Sequence, residues 1–167
     1  HLEARRFQIN QKSVEVALNI NVPDGGEDGS IEWQGSPAKT DYLPGQFVFF
    51  QNKASHMTPN KCANEVVHKG KIKPRVHAAL SEGAAYIVFT TSLLNGMQKK
   101  KCTLKIRETF EDHSAPYASS VKIAIYDAST IEGWVNQDVA SITQVLEFVG
   151  KPIIPGLKTL ETWREYR

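Results

Sequence analysis

The chain has 167 residues, of which 41% are hydrophobic and 23% charged, and a formal net charge of +2. This is an ordinary composition for a globular protein, and it predicts a single domain spanning residues 1–167. No run of residues approaches the roughly 18 to 20 apolar positions that a membrane helix needs, and no signal peptide is visible. We therefore expect no transmembrane segment.

Apolar and polar residues alternate over much of the chain, a pattern typical of half-buried β-strands. The clearest case runs from Val14 to Val22 and ends at the Gly-rich turn of residues 23–29. Residues 86–94 are β-branched and aromatic on both faces, which indicates a central strand covered on each side. Further strands are predicted over residues 30–33, 47–50, 68–77, 101–110 and 121–126.

Asn95-Gly96 is the best local hairpin signal, because a type I′ turn needs positive φ at both central residues. With seven to eight strands and no long helix before residue 127, the sequence predicts an all-β fold. The specific expectation is an antiparallel β-sandwich of jelly-roll or immunoglobulin-like type. Helical spacing of apolar residues over 139–149 and 157–163 adds one or two short C-terminal helical segments.

Two windows hold much of the positive charge: residues 69–75 carry four Lys or Arg and residues 99–107 carry five, with no acid in either. Outside these windows, eleven of the twenty basic residues remain against eighteen acidic residues, which is a net charge of −7. Alternate residues of a strand share a face, so each window predicts a positively charged face. We interpret these faces as polyanion-binding, with charges that merely face water on an edge strand as the alternative. The candidate polyanion-binding residues are Lys69, Lys71, Lys73, Arg75, Lys99, Lys100, Lys101, Lys105 and Arg107.

The sequence offers little support for metal or catalytic chemistry. Cys62 and Cys102 are too few for a disulfide framework and are not in a CxxC motif, so we expect free thiols, with one disulfide as the alternative. An N-terminal His1 could bind copper, but no second histidine is singled out by its spacing. Asp24, Glu27 and Asp28 in the turn of residues 23–29 could ligate calcium, but their spacing does not match an EF-hand loop. We therefore predict no metal, no cofactor and no enzymatic activity.

The leading hypothesis is a non-enzymatic structural or assembly protein with a basic face that contacts nucleic acid or another polyanion. Its most concrete form is a viral coat or other virion structural protein that self-associates, located in the virion or the cytoplasm. One alternative is a β-sandwich interaction module that binds acidic lipid head groups, sulfated glycans or a protein. The other is a small copper enzyme that uses His1.

Overall fold

The structure, a computed structural model, describes Phe7, residues 9–16 and residues 28–150. Its strands are β1 (Asn10–Val16), β2 (Gly29–Gln34), β3 (Phe47–Lys53), β4 (Val67–His68), β5 (Lys71–Ile72), β6 (Ala85–Thr90) and β7 (Ile123–Tyr126). Its helices are α1 (Pro59–Val66), α2 (Pro74–Ser81), α3 (Gly96–Asp112), α4 (Ala128–Val135) and α5 (Val139–Phe148).

A five-stranded mixed sheet in the order β1-β2-β3-β6-β7 organises the chain, and β4 and β5 form a separate two-stranded ribbon. Strands β1, β2 and β3 are an antiparallel meander, whereas β3, β6 and β7 are parallel. Parallel neighbours need a crossover connection, which helices usually supply. The crossover from β3 to β6 contains α1, the β4-β5 ribbon and α2, and that from β6 to β7 contains α3.

Helices cover both faces of the sheet. On one face, α1, α2 and α3 contribute Cys62, Leu80 and Phe110 to a core that includes Phe49 and Tyr86 of the sheet. On the other face, α4 places Trp134 against a second cluster of sheet residues. Trp134 stacks on Tyr42, with ring centroids 4.9 Å apart. Because both faces are buried, the central strands are apolar on both sides, as parallel strands usually are.

The all-β sandwich prediction is wrong, and residues 101–110 show why. They lie in α3, where Cys102, Ile106 and Phe110 are buried at helical spacing of four residues. Asn95 is the N-cap of this helix and not part of a hairpin turn, because it forms a capping box with Gln98. An apolar residue at every fourth position satisfies a period of 2 as well as the helical period, so the alternation was misleading.

Residues 68–77 are also not one strand. They form the β4-β5 ribbon and the start of α2, which begins with Pro74 at its first turn, a position where proline is favoured. Helices α1, α2 and α4 were not predicted at all. Because the chain forms a mixed sheet covered by helices, the jelly-roll assignment is wrong, and the viral structural protein and capsid interpretation built on it is not retained.

Several local predictions are confirmed. Strands β2, β3, β6 and β7 cover the predicted segments 30–33, 47–50, 86–94 and 121–126 in whole or in large part, and α5 matches the helical spacing over 139–149. Strand β1 overlaps the predicted strand of residues 14–22, most of which lies outside the described residues. His1 and residues 157–163 also lie outside them.

The described cysteines, Cys62 and Cys102, are free and fully buried where α1 packs against α3. Burial raises the pKa of Cys62, and a hydrogen bond with Cys102 raises it further. In the part of the chain that the structure describes, every helix is too short or too polar to cross a bilayer.

Asp127 ties α3, α4 and the end of β7 together. Its carboxylate lies 2.5 Å from Lys99 Nζ and accepts hydrogen bonds from the Leu94 and Thr130 backbone amides and the Thr130 hydroxyl. Asp127 is only 1% exposed. Burial acts to raise the pKa of this carboxyl, but the hydrogen bonds from Lys99, Thr130 and Leu94 outweigh it and hold the pKa well below its usual range.

We expect Asp127→Asn to lower the free energy of unfolding at neutral pH by about 1 to 3 kcal/mol. The change removes a buried charge that is paired with the partly exposed Lys99 and accepts several hydrogen bonds. Since the folded-state pKa is depressed, this stabilisation is present above the ordinary carboxyl pKa of about 3.9 and is lost as pH falls below it. Urea unfolding at several pH values should show that the difference in free energy of unfolding between wild type and the variant decreases at acidic pH. The exposed Asp112→Asn change is the control, and equal effects of the two variants would contradict this role.

Candidate metal and phosphate site

A cleft of about 510 Å³ lies at the carboxyl ends of the parallel strands β3 and β6. Open α/β sheets bind ligands at this edge. The cleft lining includes charged and polar side chains as well as the apolar Phe89 and Ile131, so the cleft suits a ligand with both kinds of surface. Its lining residues are Asp28, Asn52, Lys53, Ala54, Phe89, Thr90, Thr91 and Ile131.

Asp28 and Gln51 are brought together by the antiparallel pairing of β2 with β3. Gly29 pairs with Phe50, so Asp28 comes opposite Gln51 as the next pair. Side chains opposite one another in such a pair have Cβ atoms about 5 Å apart. The Asp28 backbone amide donates to the Phe50 carbonyl, and its carboxylate accepts the Asn52 backbone amide. Asp28 is therefore fixed at the edge of the cleft by main-chain bonds on both sides of Gln51.

Gln51 is fully buried behind this wall, and its side-chain oxygen accepts a hydrogen bond from the Tyr86 hydroxyl. Burial raises the pKa of Tyr86 well above its usual value, and the negative charges of Glu65 and Asp28 raise it further. The Tyr86 hydroxyl thus stays protonated and acts as a donor to Gln51.

Lys53 follows Gln51 by two positions on β3, so the two side chains leave the strand on the same face. Its ammonium group lies 2.9 Å from Glu65 Oε2, and Lys73 Nζ lies 3.7 Å from the same oxygen. The side chains of Lys53 and Glu65 are each about one quarter exposed. Glu65 of α1 therefore positions Lys53 while the lysine still reaches the cleft, where it can meet an anion.

The cleft suits a hard divalent cation held jointly with a phosphate. Among the described residues, no group of three or more His, Cys, Asp and Glu could hold a metal. Magnesium, however, is commonly bound through one or two carboxylates and keeps waters and substrate phosphate oxygens as its other ligands. Asp28 supplies a carboxylate to the cleft, so we regard it as the candidate cation ligand. Gln51 is fully buried behind it, with its side-chain oxygen on the Tyr86 hydroxyl.

The structure separates the residues of the first basic window. Lys69 lies in the β4-β5 turn, Lys71 in β5, and both are exposed. Lys73 is the N-cap of α2 and is turned toward Glu65, and Arg75 lies in the first turn of α2. Their binding of a polyanion stays a prediction, although the long strand on which it was based does not exist.

The second window lies in α3, where most of its side chains serve internal contacts. Lys99 pairs with Asp127, and Lys105 lies 3.2 Å from Glu108. The Arg107 guanidinium donates to two loop carbonyls, those of Ala118 and Val121. Lys100 and Lys101 are exposed on the outer face of the helix. The two windows thus do not form one surface made of strand faces.

Sequence reasoning missed Gln51 and Lys53, and it considered Asp28 only as a calcium ligand. A signal was present, because the apolar run Phe47–Phe50 is followed at once by Gln51-Asn52-Lys53. Polar residues directly after a buried strand often lie at a functional edge of a sheet. The significance of Asp28 depends on the register between β2 and β3, which the sequence did not reveal.

Comparison of the chain with protein-family models, curated proteins and solved structures found no match. The function is therefore inferred from the cleft itself.

Removing the charge of Asp28 should weaken cation binding. We expect Asp28→Asn to raise the Kd for Mn²⁺ by about tenfold or more, because even residues that only support a ligand contribute that much. Asparagine keeps an oxygen that can accept the Asn52 amide, so the fold should be retained. Isothermal titration calorimetry checks this, with Asp112→Asn as the control. Equal Mn²⁺ binding by wild type and both variants would exclude Asp28 as a ligand.

Proposed function

We propose that the protein is a divalent-cation-dependent phosphodiesterase acting on nucleic acid. The observation that carries this proposal is that Asp28 and Lys53 line one cleft at the carboxyl ends of β3 and β6. This proposal replaces the non-enzymatic assembly role expected from the sequence. Self-association stays an untested prediction.

The negative charge of Asp28 in the cleft favours a site that binds a cation together with a phosphate over a site that binds a phosphate alone. A surface built only to bind phosphate gains nothing from a carboxylate, because Asp28 would repel the phosphate. A bound divalent cation would attract both the Asp28 carboxylate and the phosphate, and so would offset their mutual repulsion. When bound, such a cation lowers the pKa of a coordinated water and neutralises charge on the phosphate oxygens.

The protein groups then have separate tasks. Asp28 would hold the cation, and Gln51, held by the Tyr86 hydroxyl, supports the end of β3 behind it. Lys53, oriented by Glu65, donates to a non-bridging phosphate oxygen and stabilises the charge that grows there in the transition state. Water oxygen attacks phosphorus, the bond from phosphorus to one sugar oxygen breaks, and the leaving oxygen takes up a proton from solvent. The products are a phosphate monoester and a free hydroxyl.

Nucleic acid is the phosphodiester that best fits the remainder of the cleft. Phe89 and Ile131 add apolar surface to the cleft, which suits a sugar or base attached to the phosphate. The positively charged segment of residues 69–75 follows α1, the helix that carries Glu65. The free buried thiols suit a reducing compartment, so we place the activity in the cytoplasm.

We expect the protein to cleave DNA or RNA in the presence of Mg²⁺ or Mn²⁺ but not EDTA. Lys53→Met should lower kcat by about 100- to 1,000-fold, because it removes one preorganised donor to the transition state. It should leave Mn²⁺ affinity unweakened, because Lys53 is not a cation ligand. Gel-based cleavage of labelled DNA and RNA measures the first effect, and calorimetry the second.

Lys39→Met is the matched control, because Lys39 is exposed in the loop at the amino end of β3, away from the cleft. This variant should cleave at the wild-type rate. The proposal fails if wild type cleaves neither DNA nor RNA with any divalent cation, or if Lys53→Met cleaves as fast as wild type.

A further inference from the structure

Three lysines lead from Glu65 to the tip of the β4-β5 ribbon. Lys69, Lys71 and Lys73 occur at every second residue, a spacing of about 7 Å where the backbone is extended. Lys73 and Lys53 both lie within 4.0 Å of Glu65 Oε2. We call Lys69, Lys71 and Lys73 the lysine track. Its inner end is thus directly beside the candidate catalytic lysine.

The ribbon is held in a defined position. β4 pairs with β5, and the Lys73 backbone amide donates to the Val66 carbonyl at 2.9 Å. At the other end, His113 Nε2 lies 3.2 Å from the Gly70 carbonyl oxygen. His113 is the C-cap of α3, so the tip of the ribbon is held against the C-terminal end of that helix, which does not line the cleft. The track therefore leads outward over the surface.

The turn residue Lys69 is a poor choice for its backbone conformation. Lys69 has φ of 51° and Gly70 has φ of 71°, so both central residues have the positive φ of a type I′ turn. Asn or Gly would adopt this conformation at lower cost than lysine. A lysine at this position does not favour the turn, so its charge needs another explanation.

The chain segment that carries the track contains charges of one sign only. Residues 66–81 contain no Asp or Glu, and His68, Lys69 and Lys71 are exposed. The extended backbone that directs Lys73 toward Glu65 places Lys71, two residues earlier, on the same side. In contrast, Lys99, Lys105 and Arg107 of the second window are engaged by groups of this chain.

We propose that the lysine track binds the backbone of the nucleic-acid substrate, with Lys69 and Lys71 each neutralising one phosphate outside the cleft. This inference rests on the proposed function, because it treats the strand that enters the cleft as the strand held on the track. The contacts are to phosphates, so they add affinity and direction without base specificity. A substrate too short to reach the track does not use it.

The test compares two double variants that each lose two exposed lysines. Lys69→Asn with Lys71→Gln removes charge from the track, and Lys100→Gln with Lys101→Gln removes it from α3. Binding to short fluorescein-labelled DNA, single-stranded and duplex, is measured by anisotropy in EDTA at several salt concentrations. The track variant should bind more weakly, and its plot of log K against log salt should flatten by about 1.4 to 1.8, since each phosphate contact contributes about 0.7 to 0.9.

Asparagine suits a positive φ, so the track variant should unfold at no lower urea concentration than wild type. Weaker binding by an equally stable protein therefore identifies a binding role and excludes a structural one. With Mg²⁺ and long DNA as substrate, the track variant should show a raised KM and an unchanged kcat. With a dinucleotide, which is too short to reach the track, its cleavage rate should equal that of wild type.

Equal DNA binding by wild type and the track variant overturns the inference, even if the protein cleaves DNA. Equal losses in the two double variants also overturn it, because any two lysines would then suffice. Binding of the track to anionic phospholipid vesicles but not to DNA would assign it to a membrane and overturn it too. Because binding is measured without turnover, failure of the phosphodiesterase proposal is seen separately, as absence of cleavage by wild type.

Discussion

The parallel pairing of β3 with β6 is the constraint on which the rest of the structure depends. Parallel strands cannot be joined by a tight turn, so the chain must cross over one face of the sheet between them. That crossover contains α1 with Glu65 and then the lysine track. The same pairing aligns the carboxyl ends of the two strands, which creates the cleft beside Lys53. One pairing thus accounts for both the position of the cleft and the charge next to it.

Buried polar groups support the site from behind. Gln51 would be costly inside the core without a partner, and the Tyr86 hydroxyl supplies one. Tyr86 itself stays neutral because burial and two nearby carboxylates disfavour its ionised form. Asp127, on the neighbouring strand end, serves stability by holding α3 and α4 through Lys99 and Thr130. Asp127 and Asp28 therefore differ in role because one is enclosed by donors and the other lines a cleft.

The sequence allowed correct prediction of strands where burial repeats every second residue or covers both faces, as in β2, β3, β6 and β7. It failed over residues 101–110, because an apolar residue at every fourth position fits a strand and a helix equally well. For the candidate site, the sequence showed the positive charge of the lysine track, and the extended backbone of β5 places Lys71 and Lys73 on one side. That this charge binds a polyanion stays a prediction. Lys53 and Gln51 were not noticed, since no spacing along the chain relates them to Asp28.

Local pattern by itself therefore determined which short segments are apolar, which are charged and where several strands lie. Those properties depend on neighbours within a few residues, and the sequence shows such neighbours directly. Only the tertiary structure decided that the sheet is mixed, that most of the second basic window serves internal contacts, and that Asp28 and Lys53 line one cleft with Glu65 paired to Lys53. These facts depend on the register between strands and on the path of a crossover, which follow from the packing of the whole core and not from any single segment.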